Sequence, residues 1–200
     1  MTIFLVRHGE TDGNAQRILQ RPDVPLNPRG VDQAARLAAR MAGFGAAHVL
    51  CSDLTRARMT AEPIVTRTGL PIELSPLLAE RNFGDLRGLP YADLPGDPFA
   101  PDFAPPNGET WDEFHARCDA AFALILSVKQ RVTGPLIVVT HGLVCRALAQ
   151  RKLRLAAGQG VPDRFGNTSL TIVDSGAPYG VQLLNCTAHL QAPAADGGAA

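Results

Sequence analysis

Three short polar clusters interrupt the apolar runs of this 200-residue chain: Arg7, His8, Gly9 and Glu10; Ser52 and Asp53, with Arg56 one helical turn on; and His141 with Gly142. Their residue types suit one kind of chemistry. Arginine offers a planar fork of donors that grips phosphate oxygens two at a time. Two arginines and two histidines in one crevice would hold a tetrahedral oxyanion, one imidazole attacking phosphorus while the other donates to a non-bridging oxygen. Guanidinium charge nearby disfavours imidazolium, which keeps the attacking ring neutral and nucleophilic. Phosphoryl transfer asks the protein mainly for positioning and charge stabilisation.

The clusters lie more than 130 residues apart, so the fold must bring them together. Hydrophobic patterning predicts strands at Thr2 to Val6, His48 to Cys51, Pro71 to Leu74, Leu136 to Thr140, Ser169 to Val173 and Val181 to Leu184. It predicts helices at Val31 to Met41, Leu54 to Thr68 and Leu143 to about Leu153. Strands alternating with helices imply an α/β fold, a three-layer α/β/α sandwich with a mostly parallel central sheet. Each cluster directly follows a strand, and open parallel sheets bind ligands beyond the carboxyl ends of their strands. The site is expected at that edge, where the helix after His141 would add its free N–H groups.

Between Gly88 and Gly108 the pattern breaks into Pro90, Pro95, Pro98, Pro101, Pro105 and Pro106, with Tyr91, Phe99 and Phe103 among them. An excursion this long, at about 88–108, is expected to act as a lid. Thr110-Trp-Asp-Glu113 then reads as a capping box, opening a helix whose core face is Trp111, Phe114, Cys118, Phe122 and Ile125. The chain is expected to form one domain over residues 1–190, with a disordered tail at 191–200.

Composition narrows the function. Hydrophobic residues at 46% and charged residues at 19% give an ordinary core. Nineteen basic against nineteen acidic residues argue against a nucleic-acid or membrane-surface partner, both of which need a cationic surface. No apolar run approaches the ~18 residues of a membrane span, and the first apolar stretch is too short for a signal peptide. Cys51, Cys118, Cys145 and Cys186 are widely spaced and sit in apolar stretches, as reduced thiols of a cytoplasmic protein would. No metal is expected at His8 and His141, since two arginines would repel a divalent cation and no carboxylate cluster compensates. No cofactor is expected either.

Leu5-Val-Arg-His-Gly-Glu-Thr11 resembles the signature of the histidine phosphatase superfamily, the phosphoglycerate-mutase-like family, in its phosphatase branch. Cys51 to Ala61 and Leu78 to Gly88 are similar to its second and third segments, and Asn107-Gly-Glu-Thr110, Val139-Thr-His-Gly142 and Gly166-Asn-Thr-Ser169 to later landmarks. Six segments in the family's order cover nearly the whole chain to about Leu190. The resemblance implies that His8 is the nucleophile, forming a phosphohistidine, and that Arg7, Arg56 and His141 hold the phosphoryl group. It implies Glu80 as general acid, then as base for water, and Asn14 as a further phosphate contact. Asn167 would orient the loops around the site, while Arg58 would lie on the other side of its helix. A carboxyl beside a dianionic phosphate is favoured in its protonated form, as a proton donor to an alkoxide requires.

Glu10, Asp85 and Glu109 are competing acids, with Glu109 expected to open the next helix. His48, His115 and His189 are expected to be structural or on the surface, His115 being the likeliest exception because its helix leaves the lid. The substrate is expected to be a small phosphomonoester, and three readings compete. A phosphatase releases the phosphoryl group to water. A phosphoglycerate mutase must retain it, and needs extra cations for a carboxylate and a second phosphate. From Gly88 to Ala116 there is no Lys or Arg, and the longer basic insertion of the family's dedicated mutases is missing, although Arg81 and Arg87 keep some cationic capacity. A non-catalytic phospho-ligand binder would have lost a core residue, and none is lost. The phosphatase is expected, with a leaving group that is apolar or ring-bearing, such as a nucleoside or sugar phosphate, to suit the lid aromatics. The Glu80 segment also resembles that of small phosphatases acting on α-ribazole phosphate, but it is shared too widely to name a substrate. Physiological substrate and oligomeric state are not readable from the sequence.

Overall fold

A computed structural model describes residues 2–191, so the tail expected at 191–200 lies, from 192 on, outside the described residues. Strands β1 (Thr2–Arg7), β2 (His48–Ser52), β3 (Ile72–Ser75), β4 (Leu136–Thr140), β5 (Leu170–Asp174) and β6 (Val181–Cys186) form one sheet in the order β3-β2-β4-β1-β5-β6. The first four in that order run parallel, while β5 is antiparallel to β1 and β6 to β5. Helices α1 (Asp12–Ala15), α2 (Pro28–Met41), α3 (Thr55–Thr68), α4 (Trp111–Arg131) and α5 (Gly142–Arg151) complete the regular structure with short 3-10 turns.

The alternation of strand side chains builds two cores. Leu5 and Val138 face Phe114, Phe122 and Leu148 of α4 and α5. Phe4, Val6, Ile137 and Val139 face Leu37, Met41 and Ile64 of α2 and α3. β4, Leu-Ile-Val-Val-Thr, is buried at every residue, as a strand covered on both faces must be. The register then places the chemistry. Arg7 pairs with Thr140 and Cys51 with Val139, so β1, β2 and β4 release His8, Ser52 and His141 side by side at the carboxyl edge.

Helix boundaries shift slightly from expectation. α2 begins at Pro28 rather than Val31, because the Asn27 side chain accepts the Gly30 N–H at 2.8 Å and Pro28 takes an early position where its missing N–H costs nothing. A Cβ on Gly30 would fall 2.0 Å from the Glu10 carbonyl oxygen, so glycine lets α2 dock against the loop that follows His8. α5 ends at Arg151, short of Leu153. The capping box forms as expected, Thr110 N–H donating to Glu113 Oε2 at 2.8 Å.

The excursion after Gly88 holds a 3-10 turn at Tyr91–Asp93 and is tied down through its carbonyls. Buried Arg81 donates to Pro98 at 3.0 Å, Phe103 at 2.7 Å and Glu109 at 2.9 Å, with its guanidinium 3.9 Å from the Trp111 ring centroid. Trp111 Nε1 donates to Ala100 at 2.7 Å. Arg81, read from sequence as spare cationic capacity, is therefore a strut of the excursion. Arg81→Met would leave several buried carbonyls unpaired, an expected loss on the order of 3 kcal/mol, with faster proteolysis between residues 95 and 105. A urea midpoint equal to that of the parent would refute the role.

Candidate active site

His8 is buried, and its Nδ1 lies 2.6 Å from the Gly9 carbonyl. A carbonyl only accepts, so Nδ1 carries the proton and Nε2 keeps its lone pair. The His141 ring lies 5.0 Å away, centroid to centroid. Its Nε2 is 2.8 Å from Ser52 Oγ, which already accepts the Leu54 N–H and has its own proton left to donate. With Ser52 as the donor of that bond, neutral His141 carries its proton on Nδ1, which is buried without a partner.

Arg7 and Arg56 complete the cluster. Arg7 donates through Nη1 to the Phe165 carbonyl, and Arg56 through Nη1 to the Arg21 carbonyl at 3.1 Å. The Nε atom of each is buried and unpartnered. Gly142 allows this packing, since a Cβ there would sit 3.3 Å from Arg7 Nε. Unpartnered guanidinium N–H groups beside a neutral imidazole have the chemistry of an anion cradle. A cavity of about 260 Å³ opens onto it, lined by Arg7, His8, Asn14, Arg56 and Glu80 among others.

Glu80 Oε1 accepts the Arg81 N–H at 3.1 Å and Oε2 the Leu143 N–H at 3.3 Å. The helix N-terminus expected to serve the phosphate thus gives one of its N–H groups to this carboxylate. Arg117 fixes the segment from behind, donating to the carbonyls of Leu77, Ala79 and Glu80 while pairing with Glu109 at 2.6 Å. The competing acids are engaged elsewhere: Glu109 by Arg117, Glu10 by Arg29 and Asn27, and Asp85 by Asn107. Asn14 Oδ1 accepts from Asn167 Nδ2 at 3.1 Å, so the Asn14 amide offers the cavity its N–H donors. Asn167 also donates to the His8 carbonyl at 3.1 Å, tying two loops together. Arg58 is exposed on α3, away from the cavity.

Burial first, and then the Arg56 and Arg7 charges, hold His8 well below the usual imidazole range. Burial, Arg56, His8 and Arg7 do the same to His141. Arg56 is pushed down to about 10 by burial, partly offset by Glu80, and so stays charged at neutral pH. Both imidazoles are neutral when folded but take up protons below about 6.5 when unfolded. The unfolded state then binds more protons, so stability is full above that pH and falls as pH drops. Thermal melts from pH 7.5 to 5 are expected to show this slope, and the His8→Asn/His141→Asn variant to flatten it. An unaltered slope in the variant would sink the neutral-imidazole assignment.

A family profile described as Histidine phosphatase superfamily (branch 1) matches residues 3–186. The chain belongs to that superfamily. A relative from Escherichia fergusonii named "Probable phosphoglycerate mutase GpmB" is 34% identical, with 98% of each chain covered. Among solved structures, the α-ribazole phosphatase from Shigella flexneri superposes with a TM-score of 0.77 at 27% identity, covering 94% of this chain and 97% of that one. A mycobacterial glucosyl-3-phosphoglycerate phosphatase in complex with inorganic phosphate gives a TM-score of 0.76 at 26% identity, covering 95% and 99%.

This histidine phosphatase also has cavity residues that the sequence reading missed. Arg17, Arg146 and Arg164 line it from three separate segments. Arg146 was legible, since it lies four residues after Gly142 on one face of α5; Arg17 and Arg164 sit in irregular segments with no pattern to find them. His115 lines a neighbouring cavity of about 350 Å³ that shares Phe99, Leu143 and Arg146 with the first. His189 accepts from Arg40 and bonds Thr168, and burial pushes it down to about 4. Cys186 departs from the apolar role expected of it: it is half-buried and accepts from Arg40 at 3.4 Å.

Proposed function

We propose that this protein is a metal-independent phosphomonoester hydrolase of the cytoplasm, acting on a small phosphorylated metabolite through a phosphohistidine. The observation that carries this reading is the neutral His8 imidazole, with Nε2 free, among the unpartnered Arg7 Nε, Arg56 Nε and His141 Nδ1. His8 Nε2 gives its lone pair to phosphorus as the bond to the ester oxygen breaks, and Glu80 passes a proton to the departing alkoxide. Arg7, Arg56, Asn14 and His141 hold the non-bridging oxygens. Glu80 then takes a proton from water, whose oxygen attacks phosphorus as the N–P bond breaks and returns its electron pair to Nε2. The names of the two phosphatase neighbours support hydrolysis.

The mutase reading is kept for one reason beyond the name of the relative. Arg17, Arg146 and Arg164 supply cations that the excursion itself lacks. Inorganic phosphate release from a phosphomonoester panel, in excess chelator, separates the readings. Release that survives chelation and disappears in His8→Ala is the expected result. Loss of release in chelator would refute the metal-free mechanism, and phosphoryl exchange between phosphoglycerates without release would establish the mutase. Arg56→Ala is expected to lower the rate by about 10²–10³. Glu80→Gln is expected to lower it by roughly 10²–10⁴, most for poor leaving groups; equal slowing of activated and unactivated esters would exclude Glu80 as the acid.

A further inference from the structure

The second cavity, of about 350 Å³, has no part in the phosphoryl chemistry described above. It has the size of a small-molecule site. Three elements build its walls: Phe99 comes from the excursion, Trp111, Asp112 and His115 from the start of α4, and Leu143 and Gln150 from α5. Trp111 and His115 stand at i and i+4, and Leu143 and Gln150 at i and i+7, so each pair shares one helix face.

These walls are rings where the phosphoryl cradle is charge. The Trp111 and His115 rings lie 5.6 Å apart, inclined at 31°. Burial, and then the Arg151 charge, hold His115 below the usual imidazole range, so its ring is uncharged at neutral pH. Phe99 is 38% exposed, although it is a large apolar side chain. The other aromatics of the excursion are already engaged. Phe103 packs with Leu19, Phe83 and Leu86, and Tyr91 meets the Arg17 guanidinium at 5.7 Å and the Phe99 edge at 5.8 Å. Asp112 and Gln150 add exposed hydrogen-bonding groups, a carboxylate that accepts and an amide that does both. Flat rings with a few polar groups beside them suit a planar heteroaromatic ring, whose faces stack while its edges hydrogen-bond.

The position of this cavity ties it to the reaction. Phe99, Leu143 and Arg146 line both cavities. Glu80 Oε2 accepts the Leu143 N–H at 3.3 Å, so the acid that protonates the departing alcohol sits against the residue where the two spaces meet. An alcohol leaving beside Glu80 is directed past Leu143.

We propose that the second cavity binds the ring of the leaving group, and that the substrate is a phosphorylated sugar carrying a planar heteroaromatic base. The direction in which the alcohol leaves rests on the hydrolase reading, but the ring site can be measured without turnover.

Calorimetric binding to the His8→Ala protein compares ribose 5-phosphate with the four common nucleoside 5′-monophosphates, which add only the base. At least one nucleotide is expected to bind about tenfold tighter or more, as stacking of one base on aromatic side chains provides. Trp111 is the single tryptophan of the chain, so that nucleotide is also expected to change the tryptophan emission where ribose 5-phosphate does not. Adding His115→Ala or Phe99→Ala is expected to bring the affinity ratio close to one while ribose 5-phosphate binds as before. Equal affinities for all five esters, a ratio that persists in both variants, or tighter binding with unmoved emission would each overturn the ring site. Failure of the hydrolase reading appears separately, as absence of phosphate release by the parent protein.

Discussion

Arg56 is buried and Arg7 half-buried beside two imidazoles, with no carboxylate in ion-pairing distance among the described residues, and this uncompensated charge constrains everything around it. A buried guanidinium is tolerated only where other groups satisfy it. Here two backbone carbonyls, of Phe165 and Arg21, take one donor each, and the Nε atoms stay open. Burial and the same charges keep both histidines neutral, so one arrangement gathers two cations and two unprotonated imidazoles.

Holding such a cluster needs a rigid frame, and the frame is mostly hydrogen bonds to carbonyls. Arg117 grips three carbonyls of the Glu80 segment and pairs with Glu109, which in turn accepts the Asn82 N–H at 2.8 Å. Arg81 performs the same task for the excursion above. These arginines look catalytic in a list of charges near the site. Their donors go to backbone carbonyls and, for Arg117, also to Glu109, so they hold the Glu80 segment and the excursion in place.

The cavity has a floor and an outer part. The floor is made by residues at strand ends and suits any phosphoryl group. The outer part is built by loops and one helix face, where Arg17, Arg146 and Arg164 meet the aromatic excursion. An excursion lacking Lys and Arg therefore says little about the charge of the cavity it covers.

Strand positions, the sheet class and the cluster at the strand ends were legible in the sequence because they follow from short-range causes. Leu136 to Val139 is a fully apolar run, closed by Thr140 and bounded by Gly-Pro and His-Gly, and such a run has few folds open to it. Arg7, His8, Arg56 and His141 each lie directly beyond a strand or within one helical turn of its end, so topology alone brings them together. What the tertiary structure decided are the matters that depend on distant partners. Arg117, more than thirty residues from Glu80 in sequence, takes Glu109 as its counterion, while Glu80 lines the cavity. The proton on His8 is placed by a carbonyl, and His141 is held by Ser52, 89 residues away. Arg17 and Arg164 reach the cavity from irregular loops, whose course is set by packing and not by any periodicity, so no local pattern announces them.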